Sequence, residues 1–193
     1  MRLTKLTASC THEEVAPPAS LTEMTEEEAL VGPATAKLFR AHAQEVWRFL
    51  KYLGVREQDL GDACQEVFLV AHRKLPEFRG ESTSRTWLYG ISLRVAKTWR
   101  RRRQLVPLGE DDRTVAPTQE YDMQRRATHE LLCWALDRIS ETQREVFVLH
   151  EIEELPMSDV AERVECGLFT AYSRLRLARR SLKRVLAEKG VKR

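Results

Sequence analysis

Apolar side chains return every three or four positions along most of this chain. Phe39, Ala43, Val46, Trp47, Leu50 and Leu53 share one side of a helix predicted over 34–54, which Gly54 is placed to end. Leu60, Ala63, Cys64, Val67, Phe68, Ala71 and Leu75 make a second stripe and predict a helix over 57–75. Pro76 stops it, because proline lacks the amide hydrogen and its ring clashes with the preceding turn. The polar side of that helix carries Asp59, Asp62, Gln65, Glu66 and Arg73. The period is lost across PEFRGEST, residues 76–83, where Thr83 or Ser84 can cap the next helix. Trp87, Leu88, Ile91, Val95 and Thr98 face inward on that helix, which runs to about residue 103. Three helices so striped can bury one small core, so a first domain spans 34–103.

Residues 1–33 hold Pro17-Pro18 and many polar residues without periodicity, and read as a flexible leader. Residues 104–124 combine prolines with acids and read as a linker too long for a routine connection inside one bundle. A second domain then covers 125–190. Leu131, Leu132, Ala135, Leu136 and Ile139 stripe its first helix, and Ser140 with Gln143 has the spacing of a capping box. Val146, Phe147, Leu149 and Ile152 follow, then a short helix over 158–164. Cys166-Gly167 turns the chain into a long last helix with Ala171, Leu175, Ala178, Leu182 and Val185 inward. No segment alternates with a strand's period. The fold class is all-α, with two small helical domains joined by a flexible linker.

Charge sharpens this picture. The formal net charge of the 193 residues is only +3, but its distribution is segregated. Residues 94–103, RVAKTWRRRR, hold six positive charges and no acid, and residues 172–184, YSRLRLARRSLKR, hold another six and no acid. Acids gather elsewhere, with four glutamates in 21–30 and Glu110, Asp111, Asp112, Glu120 and Asp122 between the basic stretches.

Candidate chemistry is of the binding kind. Cys10, Cys64, Cys133 and Cys166 are single, and Cys64 and Cys133 lie on apolar faces as small hydrophobes, so a reducing, cytoplasmic setting is expected. His12, His42, His72, His129 and His150 show no metal-binding spacing, and no glycine loop could cradle a phosphate. No catalytic residue, metal or cofactor is therefore expected. No run is long and apolar enough for membrane insertion, and the N-terminus lacks the apolar core of a signal peptide.

Three surfaces remain. The helix–turn–helix over 158–186 puts Thr170, Tyr172, Ser173, Arg174, Arg176 and Arg179 opposite its apolar stripe. A helix fits the major groove of duplex DNA, where arginine pairs with guanine and hydroxyls meet bases or phosphates; the alternative is a solvated basic face. Arg180, Lys183 and Arg184 suit phosphate contacts. In the first domain, Phe78 and Arg79 in the loop, with Trp87, Tyr89 and Trp99 beyond, offer rings that stack on unpaired bases. Arg94, Lys97, Arg100, Arg101 and the next two arginines would track a backbone. The alternatives keep Trp87 in the core and leave the arginine run as a helix end favoured by the dipole. The third surface holds Asp62, Gln65 and Glu66, by chemistry alone a solvated face.

Two motifs in order carry a resemblance. Residues 59–91, DLGDACQEVFLVAHRKLPEFRGESTSRTWLYGI, resemble region 2 of the extracytoplasmic-function (ECF) sigma factors of bacterial RNA polymerase. Residues 136–182, LDRISETQREVFVLHEIEELPMSDVAERVECGLFTAYSRLRLARRSL, resemble their region 4. With the first helix the resemblance covers about 150 residues. It implies that Asp62, Gln65, Glu66 and Phe68, the D-x-x-Q-E-x-F signature, dock on the coiled coil of the polymerase's largest catalytic subunit, with Phe68 mainly packing. It implies that the loop 78–84 captures a flipped base of the −10 element and that 86–103 helps melt and hold the non-template strand. Residues 141–164 would support the −35 reader, in which Thr170, Tyr172, Ser173 and Arg174 match T-x-x-S-R-L. Core polymerase, including its flap region, promoter DNA and an anti-sigma factor are the implied partners.

The chain departs from the family at Arg94, where asparagine is frequent, and at Glu154 and Glu165, where glycine is usual. Pro156 stands where serine is common, and Phe169 replaces a small residue before Thr170. The implied function is a promoter-specificity subunit without catalysis of its own. A stand-alone DNA-binding regulator would explain 158–186 but not 59–91, and a helical adaptor would use the basic faces on acidic partners.

Overall fold

In the computed structural model the described residues are 28–104 and 120–190, with side chains described over 32–102 and 127–190. The leader read over 1–33 lies outside them up to residue 27, the linker read over 104–124 lies outside from 105 to 119, and Cys10 and His12 lie outside as well. The described residues form two compact units, divided between residues 105 and 106.

The first unit is a bundle of three helices, α1 (Glu28–Tyr52), α2 (Leu60–Lys74) and α3 (Ser84–Gln104), each packed on the other two. α1 is broken at Gly32 (φ 67°, ψ 152°), and Pro33 opens its regular part, where a proline's missing amide is harmless. Gly54 (φ 86°) ends it as expected: its amide donates to the Lys51 carbonyl (3.0 Å) and the Val55 amide to Leu50 (3.1 Å). Val46, Phe49, Leu50, Leu60, Ala63, Val67, Ala71 and Leu88 are fully buried. Phe39 and Phe68 meet edge to face with centroids 4.8 Å apart. Burial pushes the Cys64 thiol up to about 12, which keeps it protonated and apolar in use. Two hydrogen bonds of His42 anchor the α1–α3 corner, one to Glu45 (2.8 Å) and one shared with Ser84 (2.9 Å).

The second unit holds α4 (Glu120–Leu136), α5 (Glu141–Phe147), α6 (Met157–Arg163) and α7 (Leu168–Glu188). α4 begins inside the stretch read as linker. α7 is the organising element, touching α4, α5 and α6. Its stripe Ala171, Leu175, Ala178, Leu182 and Val185 is buried as expected. Ser140 does begin α5, yet its side chain makes no capping bond. Instead the Gln143 and Arg144 amides donate to the Ser140 backbone carbonyl (3.1 and 2.9 Å), so the expected capping box does not form. α5 widens into a π-helical turn, Val148–Ile152. Val146 through Leu149 are all fully buried there, a burial all round that no single stripe encodes. Arg144 is 1% exposed and pairs with Asp137 at 3.0 Å, closing the α4–α5 corner.

Both positions at which the resemblance implied glycine hold the left-handed backbone that favours it. Glu154 has φ 56° and Glu165 has φ 52°, and these are the non-glycine residues with positive φ among those described. At Glu165 the turn is closed by the Cys166 amide donating to Ala161 (3.0 Å) and the Glu165 amide to Glu162 (3.2 Å). An L-residue pays a steric penalty of about 1–2 kcal/mol there, partly offset by the greater chain entropy a glycine would lose. Glu165→Gly and Glu154→Gly should therefore each stabilise the second unit by about 1 kcal/mol. The check is the urea midpoint, which rises with unchanged slope, whereas Glu165→Ala gives no gain.

Candidate nucleic-acid interface

On α3 the core decides what solvent sees. Thr83 caps the helix: the Thr86 amide donates to its Oγ1 (3.1 Å), and the two threonine hydroxyls share a bond (2.9 Å). Leu88, Ile91, Ser92, Val95 and Ala96 are buried. Ser92 satisfies its hydroxyl by donating to the Leu88 carbonyl (2.8 Å). The opposite side then carries Trp87, Arg94, Lys97 and Arg101 at seven-, three- and four-residue spacing. Arg94, Lys97 and Arg101 are exposed and Arg100 is half-buried. At the N-terminal end of this track the half-buried rings of Phe78 and Trp87 meet at 4.8 Å, tilted by 36°. Phe78 thus fastens the loop to the helix, with exposed Arg79 beside it and Gly80 (φ 73°) turning the chain away.

Four expected positions move. Trp87, read as inward, is half-buried at the head of the outer track. Tyr89 is fully buried and stacked on Phe49, with centroids 4.3 Å apart and planes 22° apart. It cannot stack on a base: two residues beyond Trp87, a helix turns it to the core side. Thr98, read as inward, is half-buried on the outer side, and its hydroxyl donates to the Arg94 carbonyl (3.1 Å). Trp99 turns toward α2, where its indole N–H donates to Glu66 (2.8 Å).

That bond brings in the acidic face. Asp62, Gln65, Glu66 and Leu69 follow one side of α2 at three-, one- and three-residue spacing. Asp62 is exposed, Gln65 and Glu66 are half-buried, and Phe68 is 4% exposed, packing as expected. Leu69, 39% exposed, is an apolar member of this face that its place beside the core stripe hid in the sequence. Glu66 also lies 4.0 Å from Arg102, whose guanidinium sits 5.2 Å over the Trp99 ring. One carboxylate therefore joins the acidic face of α2 to the basic end of α3.

On α7 the same logic separates the candidates. Phe169, Ser173, Arg176 and Arg180 are all exposed, and at four-, three- and four-residue spacing they run down the side opposite the buried stripe. Tyr172, 53% exposed, flanks that line. Thr170 is exposed and Arg174 half-buried on the other flank. Arg179 is held: it pairs with Glu151 of the π-helical turn through its terminal nitrogen and through Nε (3.2 Å). Its guanidinium pins α7 to the neighbouring turn. Among the described residues no group of three or more His, Cys, Asp or Glu could hold a metal ion, and no helix is long and apolar enough to cross a membrane.

Comparison with known proteins matches these two units to two known ones. Residues 38–106 match the model of sigma-70 region 2, and residues 135–182 match that of sigma-70 region 4. The chain is 32% identical over 142 residues to the ECF RNA polymerase sigma-E factor of Haemophilus influenzae, covering 65% of this chain and 73% of that protein. It is 31% identical over 159 residues to the ECF RNA polymerase sigma factor SigC of Mycobacterium tuberculosis, covering 78% and 82%. In fold it is similar to CnrH, solved in complex with the cytosolic domain of CnrY, with TM-score 0.60, 19% identity and coverage of 88% and 94%. It is similar also to the sigma factor RpoE of Bartonella quintana, solved with the anti-sigma factor NepR, with TM-score 0.61, 22% identity and coverage of 86% and 98%. With both regions present, in order, on two separately cored helical units, the chain belongs to the ECF RNA polymerase sigma factors of the sigma-70 family.

Proposed function

We propose that this chain directs core RNA polymerase to a restricted set of promoters, the first unit holding opened −10 DNA and the second reading −35 duplex. The observation that carries the division is the contrast between the two exposed basic faces. α3 sets aromatic rings at the head of a cationic track, which suits unstacked bases on a held backbone. α7 sets Ser173, Arg176 and Arg180 along the outer side of a helix–turn–helix, which suits a major groove. Base-pair opening draws on stacking and backbone contacts, so no catalytic group is assigned. Asp62, Gln65, Glu66 and Leu69 form the proposed surface for the polymerase's largest subunit, with the flap region engaging the second unit. The anti-sigma factor bound to the RpoE relative motivates a similar inhibitory partner here. Its place of work is the cytoplasm, at the nucleoid.

The decisive measurement is co-purification with core polymerase followed by promoter run-off transcription. Initiation strictly dependent on the chain is expected; tight duplex binding without core and no effect on initiation would favour a stand-alone regulator instead. Within the holoenzyme the two faces should separate. Arg94→Ala with Lys97→Ala should lower open-complex formation while leaving −35 duplex affinity unchanged. Arg176→Ala should weaken −35 duplex binding roughly tenfold or more and leave binding to premelted −10 DNA unchanged. Equal loss of both activities in either variant refutes the division.

The docking face needs a choice of variant that the Glu66–Trp99 bond dictates. Glu66→Lys removes the acceptor of a part-buried indole and sets an ammonium beside Arg102, so it should destabilise the first unit by about 1 kcal/mol besides weakening core binding. Glu66→Gln keeps an acceptor and should leave the unit's thermal midpoint nearly unchanged. Asp62→Lys acts at an exposed residue and should weaken core association with no change in stability. Unchanged core affinity in Asp62→Lys removes this surface from the interface.

A further inference from the structure

Phe169 is 89% exposed, the most exposed of the large apolar side chains among the described residues. It is the second residue of a 21-residue helix whose register is set by five buried positions, so its exposure is imposed by the fold. It heads the outward line that continues through Ser173, Arg176 and Arg180. Residues 168–187 contain no acid. The half-exposed Leu168 and Leu177 sit off this line on opposite flanks, so the line itself is one aromatic ring followed by a hydroxyl and two cations. A protein-docking helix would repeat apolar anchors at this spacing. Here the spacing continues into groups that suit base edges and phosphates.

A helix laid in the major groove meets base edges with its N-terminal residues. The apolar feature on the floor of that groove is the C5-methyl group of thymine, against which a phenylalanine packs. We propose that Phe169 is a specificity-determining residue that reads a thymine methyl in the −35 duplex. The proposal rests on the reading of α7 as the duplex reader and adds to it a base identity. Ser173 and Arg176, four and seven residues on, then contact the base pairs that follow along the groove.

Deoxyuridine differs from thymidine by this methyl alone, which makes the test specific. A −35 duplex is first selected from a randomised pool by the holoenzyme built from the full chain and core polymerase. Each thymine is then replaced singly by deoxyuridine, and affinity is measured for the wild type and for Phe169→Ala. The wild type should lose about fourfold at one thymine or two adjacent ones, the worth of one buried methyl, while Phe169→Ala binds the thymine and uracil duplexes equally. An exposed residue can be truncated without loss of fold, and unchanged core affinity of the variant checks this. Wild-type indifference to deoxyuridine at every position, with the selected duplex still bound, overturns the proposal and leaves the duplex reading intact. Discrimination that survives in Phe169→Ala also overturns it, and if core or anti-sigma binding falls instead, the ring belongs to a protein interface. Failure to select any duplex overturns both this proposal and the duplex reading.

Discussion

The burial of one narrow stripe on each basic helix is the constraint on which the rest depends. α3 and α7 carry too much charge to be enclosed, so each can dock by one side only. Once Leu88, Ile91, Val95 and Ala96 enter the first core, helical geometry places Trp87, Arg94, Lys97 and Arg101 opposite them. Once Ala171, Leu175, Ala178 and Leu182 enter the second, Phe169, Ser173, Arg176 and Arg180 face outward. The stripes mix buried alanines with larger buried residues, so the register has little freedom to slip. Exposed basic faces of this kind are by-products of core packing, and their precision is that of the core.

Intramolecular pairing then selects among the charges. Arg179 and Arg176 look alike in sequence, yet Arg179 lies on the flank nearest the π-helical turn and meets Glu151. Arg102 and Arg101 are neighbours, yet Arg102 reaches Trp99 and Glu66 while Arg101 stays on the outer track. A basic run is thus divided residue by residue into anchors and contacts by the angle each makes with the core. The Glu66–Trp99 bond has a second consequence: the acidic face of α2 meets the basic end of α3 at one carboxylate, so a change at Glu66 acts on both.

Much of this was legible in the sequence. The stripes placed every helix of the first unit and the last helix of the second to within a few residues, and the proline and glycine signals at Pro76 and Gly54 mark real ends. What escaped depends on tertiary contacts. Tyr89 was grouped with Trp87 as a stacking ring because composition counts aromatics, whereas only the angle around the helix tells surface from core. Ser140 had a capping-box spacing, but its backbone carbonyl took the amides. The π-helical turn adjoins a run of four consecutive buried residues, which no single-face pattern encodes. Leu69 was passed over because apolar residues are read first as core, and Phe169 stood out only as a departure from the family pattern; the exposure of both is a property of the assembled bundle.

The turn before α7 shows how substitutions at one junction are coupled. Glu165 holds a left-handed backbone that a glycine would adopt freely, and the amide bonds at Glu165 and Cys166 lock it there. Gly167 then enters the helix in extended conformation (φ −66°, ψ 150°), and the Ala171 amide returns to its carbonyl at 3.0 Å. The first turn of α7 is therefore tied at its start by backbone bonds and at Ala171 by burial, with Phe169 caught between. An aromatic ring left in water forgoes the roughly 1.5–3 kcal/mol that burial would give it. The backbone could recover this only by rotating α7, which would drive Ser173, Arg176 and Arg180 into the core with the ring and expel Ala171 and Leu175. The ring stays outside because the alternative register is worse, and its exposure is fixed by the core on the other side of the helix.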